Sequence, residues 1–226
     1  MISENLNAIK KRIADAAVAA GRNPNDIKLV AVSKTKPASF IDEAARAGQL
    51  VFGENYVQEL TEKQNIVKEP IEWHFIGHLQ SNKVKYIADI VKMIHSVDKL
   101  SLAEEINRQC EKINKKCDIL IQVNVSGEAT KSGTTTAEVI SLVKEAAKLP
   151  NLQIKGLMTM PPFFDDPDRA RPYFKELYTL SKEIESLSVP GVSMKELSMG
   201  MSGDFEAAIA EGATLVRVGS AIFGSR

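Results

Sequence analysis

The chain has 226 residues, of which 44% are hydrophobic and 26% charged, a composition that allows a sizeable globular core. Its 29 basic and 29 acidic residues balance, which argues against nucleic acid or an anionic membrane surface as a partner. No apolar run is long enough to span a bilayer, and the acidic first segment is unlike a secretory signal.

The first elements are predicted from the spacing of apolar residues. Apolar residues recur at helical spacing through the first twenty residues, which predicts an amphipathic helix. The β-branched run Leu29–Val32 then predicts a buried strand, and Pro37 forces this strand to end near Thr35. Ser39–Asp42 resembles a capping box, which opens a helix that stops at Gly48.

The rest of the chain repeats this alternation of strand and helix. The short apolar run 50–52 is followed by a helix to about Ile66. Further strands are predicted at 72–76, 93–97, 118–125, 152–158, 196–198 and 214–218. Further helices are predicted from Ser81, over 99–115, 134–148 and 167–187, from Ser202, and as a short turn from Ser220.

Eight strands, each followed by a helix, predict a (β/α)₈ barrel, also called a TIM barrel. A doubly wound open sheet is the competing architecture, because periodicity alone does not separate the two. The count of eight and the lack of a Gly-x-Gly-x-x-Gly motif after the first strand favour the barrel. We expect one domain over 1–226, with the first helix outside the eight units.

Lys34 is a candidate nucleophile because it is predicted at the carboxyl end of the first strand. An amine that is partly desolvated there can attack a carbonyl group. Lys36 lies next to the proline and is therefore the weaker candidate. The alternative is that both lysines are ordinary solvated loop charges.

In such barrels the site forms at the carboxyl ends of the strands. Glycine–serine turns follow the last two strands, and their backbone N–H groups can cradle a phosphate. Gly200 and Gly219 let the backbone approach an anion, while Ser198, Ser202 and Ser220 add hydroxyl donors. The residues predicted at the strand ends are Lys34, Asn55, His74, Met158, Ser198, Met199, Gly200, Met201, Ser202, Arg217, Gly219 and Ser220.

A phosphate cradle facing a reactive lysine predicts a phosphorylated aldehyde as the ligand. Pyridoxal 5′-phosphate fits, because its aldehyde would form a Schiff base with Lys34. Arg217 would then face the pyridine nitrogen, where an arginine, unlike an aspartate, does not keep that nitrogen protonated. A salt bridge from Arg217 to a loop carboxylate is the alternative.

Seven blocks of the sequence resemble the pyridoxal phosphate homeostasis protein family, also called the YggS or proline synthetase co-transcribed type. The blocks are Ala31–Pro37, Phe52–Glu59, Trp73–Lys83, Lys131–Gly133, Gly156–Met158, Leu197–Ser202 and Arg217–Gly224. This resemblance implies the barrel of the alanine racemase amino-terminal domain, as in fold type III pyridoxal phosphate proteins, with the cofactor on Lys34. It also implies phosphate contacts at Ser198, Ser202, Gly219 and Ser220, and a ring-nitrogen contact at Arg217.

The same resemblance bears on catalysis. A racemase needs two bases, one on each face of the bound substrate. In alanine racemase the second base is a tyrosine from a further β-rich domain, and this chain ends straight after the eighth strand. All four tyrosines (Tyr56, Tyr86, Tyr173 and Tyr178) fall on helical patterns, and His74 is as readily a core residue. We therefore expect a non-enzymatic protein without catalytic residues that buffers or delivers the cofactor, with a small amino-acid racemase as the alternative.

Other features complete the expectations. A third hypothesis is that the loops bind another phosphorylated metabolite non-covalently. Lys36, Lys83 and Lys131 are predicted at the same barrel mouth, where Lys36 or Lys131 is a hypothetical second holding site. Cys110 and Cys117 are expected as buried or reduced thiols of a cytoplasmic protein. The acidic run at 165–168 is expected to cap a helix rather than to bind a metal ion. The protein is expected to be a monomer. Pyridoxal phosphate-dependent apo-enzymes are candidate recipients of its cofactor.

Overall fold

The structure is a computed structural model that describes residues 1–128 and 131–224. Arg226, the last residue of the predicted domain, lies outside the described residues. Eight parallel strands close into a barrel in which each strand pairs with its neighbours in chain order, so the predicted architecture is confirmed. The strands are β1 Lys28–Val32, β2 Val51–Glu54, β3 Glu72–Phe75, β4 Met93–Val97, β5 Cys117–Gln122, β6 Leu152–Met158, β7 Val192–Ser198 and β8 Leu215–Val218.

Helices surround the barrel. They are α1 Ile2–Ala19, α2 Ala38–Arg46, α3 Val57–Ile66, α4 Leu100–Lys112, α5 Val139–Ala146, α6 Arg171–Ser186, α7 Phe205–Ala210 and α8 Ser220–Phe223. Short 3₁₀ segments occur at Pro24–Asp26, Ser81–Tyr86 and Pro167–Ala170. As predicted, α1 precedes the eight strand–helix units, and it packs against α7, α8 and α2 through its apolar face.

Apolar side chains form two separate layers because residues alternate across each strand. One large layer lies between the strands and the helices. A small cluster fills the barrel interior and consists of Val30, Met93, Leu120, Met158 and Leu215. This interior plug separates the ion pairs at the amino-terminal end, such as Lys28 with Glu196, from the polar groups near the strand carboxyl ends.

The end of β1 differs from the prediction, because the strand stops at Val32 rather than near Thr35. The Ser33 N–H still donates to the Gly53 carbonyl, at 3.1 Å. The Lys36 N–H then donates to the Ser33 carbonyl, and Thr35 adopts a left-handed φ of 62°. Lys34 therefore lies in a tight turn just beyond the strand.

The boundaries of β5 and β7 were also predicted wrongly. β5 ends at Gln122, three residues early, and Val123 makes only an isolated bridge to Thr134. β7 begins at Val192 and is longer than predicted. Its register against β6 shifts beside Gly156, where a Cβ atom would lie 1.7 Å from the Glu196 carbonyl oxygen. Only glycine allows this approach, and a bulge of that kind leaves little trace in a hydrophobic pattern.

The predicted capping box before α2 is wrong. The helix begins at Ala38 after Pro37, and no side chain caps it. The Asp42 carboxylate instead accepts the backbone N–H groups of Lys68 and Glu69, at 2.9 and 3.3 Å. The local pattern predicts that Asp42 caps α2, but its carboxylate instead binds a segment about 26 residues further along the chain.

Several predicted helix boundaries shift as well. The segment after Ser81 is a 3₁₀ helix without a side-chain cap, α5 begins at Val139 instead of 134, and α7 begins at Phe205 instead of Ser202. Tyr56 lies outside α3, two residues after β2, where it is exposed. The prediction that every tyrosine lies on a helix is therefore wrong for Tyr56.

Candidate cofactor site

Barrel closure brings the turn that carries Lys34 next to the loop that follows β8. β1 pairs with β8 in a register that sets Ala31 opposite Val218. Gly219, the first residue after β8, passes so close to β1 that a Cβ atom would lie 3.0 Å from the Val32 carbonyl oxygen. Lys34 is half-buried beside this crossing. The predicted amine and the predicted phosphate loop therefore share one side of the barrel mouth.

Arg217 is a buried cation inside the barrel, with 4% of its surface exposed. Its Nη1 donates to Ser198 Oγ, and its Nη2 donates to the Thr159 carbonyl at 2.9 Å. Burial lowers the pKa of the guanidinium to about 10, although Asp204 acts in the opposite direction, so the group stays charged at neutral pH. Among the described residues, no carboxylate lies within ion-pair distance of Arg217.

The predicted salt bridge from Arg217 to a loop carboxylate is therefore not formed in the described part of the chain. A buried charge without a counter-ion is costly unless other polar groups or a ligand compensate it. This arrangement fits an electron-rich ligand atom above the guanidinium.

A chain of hydrogen bonds continues from Arg217 across the barrel. His95 Nδ1 lies 2.9 Å from Ser198 Oγ, and His95 Nε2 lies 2.9 Å from His74 Nδ1. Arginine can only donate, so Ser198 accepts from Arg217 and has its own proton available for His95. His95 then donates from Nε2 to His74 Nδ1. Each hydrogen bond in the series therefore donates in the direction from Arg217 to His74.

Both histidines are neutral at physiological pH. Burial lowers the pKa of His74 to about 4, with the charge of Lys28 as the next contribution. Burial also lowers the pKa of His95 well below its ordinary value, and His74 and Arg217 lower it further. His74 is therefore a hydrogen-bonded interior residue, which matches the alternative considered for it from the sequence.

The loops after β7 and β8 are joined by hydrogen bonds. The Gly219 N–H donates to Ser202 Oγ at 3.3 Å, and the Met201 N–H donates to Asp204 Oδ1 at 2.6 Å. Gly200 has a φ of 91°, and a Cβ atom there would lie 2.6 Å from the Ala208 Cβ. The two loops are thus joined at the barrel mouth, where they form a candidate phosphate cradle, and α8 begins there with Ser220. First-turn N–H groups of a helix have no carbonyl partner within the helix.

Asn55 follows β2 at the barrel mouth. Its Oδ1 is buried and has no hydrogen-bond partner in the part of the chain that the structure describes. A buried acceptor of this kind needs a donor. Asn55 also lines a cavity of about 600 Å³, together with residues that include Thr35, Tyr56, His78 and Lys83. This cavity, which Thr35 of the Lys34 turn also lines, therefore has space and an acceptor for part of a ligand.

The other predicted residues are placed differently. Met158 lies in the interior apolar cluster, and the Met199 side chain packs in the outer layer between strands and helices. Ser198 contacts Arg217 and His95 rather than the loops. The structure thus brings Ser202, Gly219 and Gly200 together in the cradle, while Ser198 supports Arg217.

Sequence reasoning missed three residues of this site: Thr159, His95 and Asp204. Alternation along β4 offered a signal for His95, because Met93 and His95 share the interior side. Thr159 contributes a backbone carbonyl, which has no sequence signature. Asp204 raises the pKa of Arg217 from a loop whose path only the structure defines.

A larger cavity of about 920 Å³ lies at the opposite end of the barrel, among Arg22, Lys28, Tyr178, Glu196 and neighbouring residues. Its walls mix basic and acidic side chains, and it contains the Lys28–Glu196 ion pair at 2.8 Å. Barrel chemistry sits at the carboxyl ends of the strands. The cavity beside Asn55 is therefore the one at the carboxyl ends of the strands, and Asn55 is the predicted site residue that lines it.

The remaining expectations concern metals, thiols and membranes. Within residues 1–128 and 131–224, no cluster of three histidine, cysteine or acidic side chains could hold a metal ion. Asp166 accepts the Asp168 N–H at 3.1 Å and thus caps the following 3₁₀ turn. Cys110 and Cys117 are buried free thiols. Over the same described ranges, every helix is too short or too polar to cross a membrane.

Comparisons with known proteins show which family the chain is similar to. The sequence profile of the family described as alanine racemase, N-terminal domain, matches residues 4–226. A pyridoxal phosphate homeostasis protein of Aquifex aeolicus is 46% identical over 224 residues, which cover 99% of this chain and 97% of the relative.

The chain is also similar to solved structures. PipY of Synechococcus elongatus, with PLP bound, is 34% identical with a TM-score of 0.87, and the match covers 99% of this chain and 100% of that one. An alanine racemase of Clostridium difficile is 17% identical with a TM-score of 0.74, and the match covers 99% of this chain and 57% of that one. The last likeness is one of fold alone.

The neutral state of His74 predicts a pH dependence of stability. The folded protein keeps His74 unprotonated down to about pH 4, whereas the unfolded chain protonates it near pH 6.5. The unfolded chain binds more protons in this window, so the free energy of unfolding falls as the pH drops from about 6.5 to about 4. The contribution of His74 is on the order of 3 kcal/mol over the window, at about 1.4 kcal/mol per pKa unit.

Urea unfolding at several pH values measures this effect. His74→Asn keeps a polar atom near His95 but does not titrate, so its stability falls less steeply below pH 6.5 than that of the wild type. The exposed His78 provides the matched control, since His78→Asn should retain the wild-type slope. Equal slopes for all three proteins would show that His74 is not held neutral.

Proposed function

The chain belongs to the pyridoxal phosphate homeostasis protein family, and we propose from this premise that it binds pyridoxal 5′-phosphate and acts in the homeostasis of that cofactor. Its fold is the barrel of the alanine racemase amino-terminal domain. PipY, a relative of the same architecture, is described with PLP bound. The buried thiols expected of a cytoplasmic protein are consistent with a role inside the cell.

The observation that carries the binding proposal is the buried Arg217 guanidinium, which has no ion-pair partner among the described residues, in a barrel whose closure brings the Lys34 turn and the Gly219 loop together. Bound pyridoxal phosphate supplies an aldehyde that forms a Schiff base with a primary amine. Lys34 is the amine in this proposal, and Arg217 donates toward the pyridine nitrogen. The backbone around Gly200 and Gly219 and the hydroxyls of Ser202 and Ser220 hold the phosphate. Asn55 accepts a hydrogen bond at the mouth.

Arg217 also supports a holding role rather than a catalytic one. An arginine does not deliver a proton to a pyridine nitrogen as an acid would, and this weakens the ring as an electron sink. The charge of Arg217 is supported by Ser198, His95 and Thr159, so the group is fixed in place. We therefore infer reversible storage or delivery of the cofactor, without evident catalysis of its own.

The comparisons do not favour the racemase alternative, although one tyrosine lies near the barrel mouth. Tyr56 is exposed at the barrel mouth, close to Asn55, although the sequence pattern had placed it in a helix. A tyrosine there has the chemistry of a second base. The alternative therefore needs its own experiment.

Covalent attachment tests the proposal directly. After saturation with pyridoxal phosphate and reduction by borohydride, the wild type should carry one label, on the peptide that contains Lys34. Lys34→Ala should lose the label and the Schiff-base absorbance, because the proposed amine is removed. Lys36→Ala is the matched control and should keep the label on Lys34. A label on the Lys34→Ala protein at wild-type yield would contradict the assignment.

Cofactor transfer tests the homeostasis role. Loaded protein is mixed with a pyridoxal phosphate-dependent apo-enzyme, with and without a trap for free aldehyde, and recovery of enzyme activity is followed. Recovery that survives the trap indicates delivery by contact, whereas recovery only without the trap indicates buffering through solution. Failure to restore activity under both conditions would contradict either role.

Deuterium exchange separates a carrier from a racemase. Loaded protein is incubated in deuterated water with a single enantiomer of alanine, and both Cα exchange and chirality are measured. We expect no sustained exchange above that of free cofactor, because the ring is a weak electron sink. Sustained racemisation that disappears in Tyr56→Phe but survives in Tyr86→Phe, an exposed control, would establish the enzyme instead.

A further inference from the structure

Lys63 is a buried lysine on α3, with 6% of its surface exposed, and it lies outside the site described above. Lysines are rarely buried unless their charge is paired. Its ammonium group donates to the Ser33 carbonyl and to Glu54 Oε1, both at 2.7 Å, and forms a salt bridge with Glu59 Oε1 at 3.1 Å. Its charge is therefore paired with two carboxylates.

The acceptors of Lys63 hold the chain on both sides of Lys34. On one side, the Ser33 hydroxyl donates to Glu54 Oε1 at 2.6 Å, and the Ser33 carbonyl accepts from Lys63. On the other side, the Thr35 N–H donates to Glu59 Oε1 at 2.6 Å. One ion cluster, formed by Lys63, Glu54 and Glu59, thus forms hydrogen bonds with the residues immediately before and after Lys34. We call it the Lys63 cluster.

The conformation of Thr35 shows why the turn needs such support. Its φ of 62° lies in the left-handed region, which is unfavourable for a β-branched residue. Thr35 is exposed, so packing of its side chain does not impose this conformation. The hydrogen bond from its N–H to Glu59 is one contact that fixes it, and strained backbone of this kind is typical of functional sites.

The Lys63 cluster is poorly explained by stability alone. Replacing a buried ion pair with apolar groups is often neutral or stabilising, because the charges must lose their water. Burial raises the pKa of the Glu54 carboxyl, although hydrogen bonds from Lys63 and Ser33 oppose the shift. The buried charges of the Lys63 cluster are therefore costly, and they lie where they contact Ser33 and Thr35, the neighbours of Lys34.

We propose that the Lys63 cluster is a positioning device that orients the Lys34 turn, and with it the amine, toward the aldehyde of the cofactor. This inference rests on the proposed function and deepens it. Lys63 does not contact the cofactor; it acts through Ser33 and Thr35. Removing it should misdirect the amine while leaving the phosphate cradle, which belongs to β7 and β8, in place. Small misplacements of a reacting group are costly because the reaction depends on exact orientation.

The test uses Lys63→Met, which keeps the length of the side chain without its charge. Two quantities are measured: the concentration of pyridoxal phosphate that labels half of Lys34 after borohydride reduction, and the dissociation constant of pyridoxine 5′-phosphate. The second compound has the phosphate and ring but no aldehyde, so it reports only the cradle. We expect the labelling concentration to rise about tenfold, and the pyridoxine 5′-phosphate constant to change less than twofold.

Control variants separate positioning from general damage. Lys182→Met removes an exposed lysine from α6 and should leave both quantities at wild-type values. Glu59→Ala removes the acceptor of the Thr35 N–H and should also weaken labelling, whereas Glu59→Gln retains an oxygen acceptor and should recover most of the loss. If Lys63→Met does not fold, Glu59→Ala tests the proposal through the same two quantities, the labelling concentration and the pyridoxine 5′-phosphate dissociation constant.

Two results would overturn the inference. One is a folded Lys63→Met protein that labels at wild-type concentrations. The other is an equal loss of pyridoxine 5′-phosphate affinity, which would show that the whole site has been distorted. Absence of any label on wild-type Lys34 is a different failure, because it would overturn the proposed function itself.

Discussion

Closure of the sheet by pairing of β1 with β8 is the constraint on which the rest of the structure depends. This pairing sets Val30 opposite Arg217 and Ala31 opposite Val218, so the first and last strands end at the same point. The Lys34 turn and the Gly219 loop become neighbours although most of the chain separates them. An open sheet without this pairing would leave the Lys34 turn and the Gly219 loop apart, and the proposed cofactor site would not form.

Polar groups near the mouth are arranged in two networks with different tasks. Inside the barrel, Ser198, His95 and His74 form a neutral chain that supports the Arg217 charge. Outside the sheet, the Lys63 cluster binds the turn that follows β1 to α3. The apolar plug beneath the inner network separates it from the ion pairs at the other end of the barrel. The reactive side of the molecule is thus rigidly supported from two directions.

Predictions that depend on interactions between residues close in sequence were confirmed, whereas those that depend on contacts between distant residues often failed. Strand–helix alternation and the α1 pattern are local, and both were confirmed by the closed barrel. The Asp42 cap failed because its carboxylate bonds residues 68 and 69, and β7 was predicted too short because the register shift beside Gly156 leaves little trace in the hydrophobic pattern. Tyr56 was misplaced since α3 starts one residue later.

The sequence by itself determined the architecture, the family resemblance and the residue types at the strand ends, because periodicity and short motifs are properties of the chain alone. Only the tertiary structure decided which of these residues meet. It placed Ser198 beneath Arg217 rather than in the phosphate loop, and the Met199 side chain in the outer layer. It also revealed His95, Thr159 and Lys63, whose roles depend on hydrogen bonds between segments far apart in the chain. Such contacts carry no local signature, since their partners are set by the closing of the barrel.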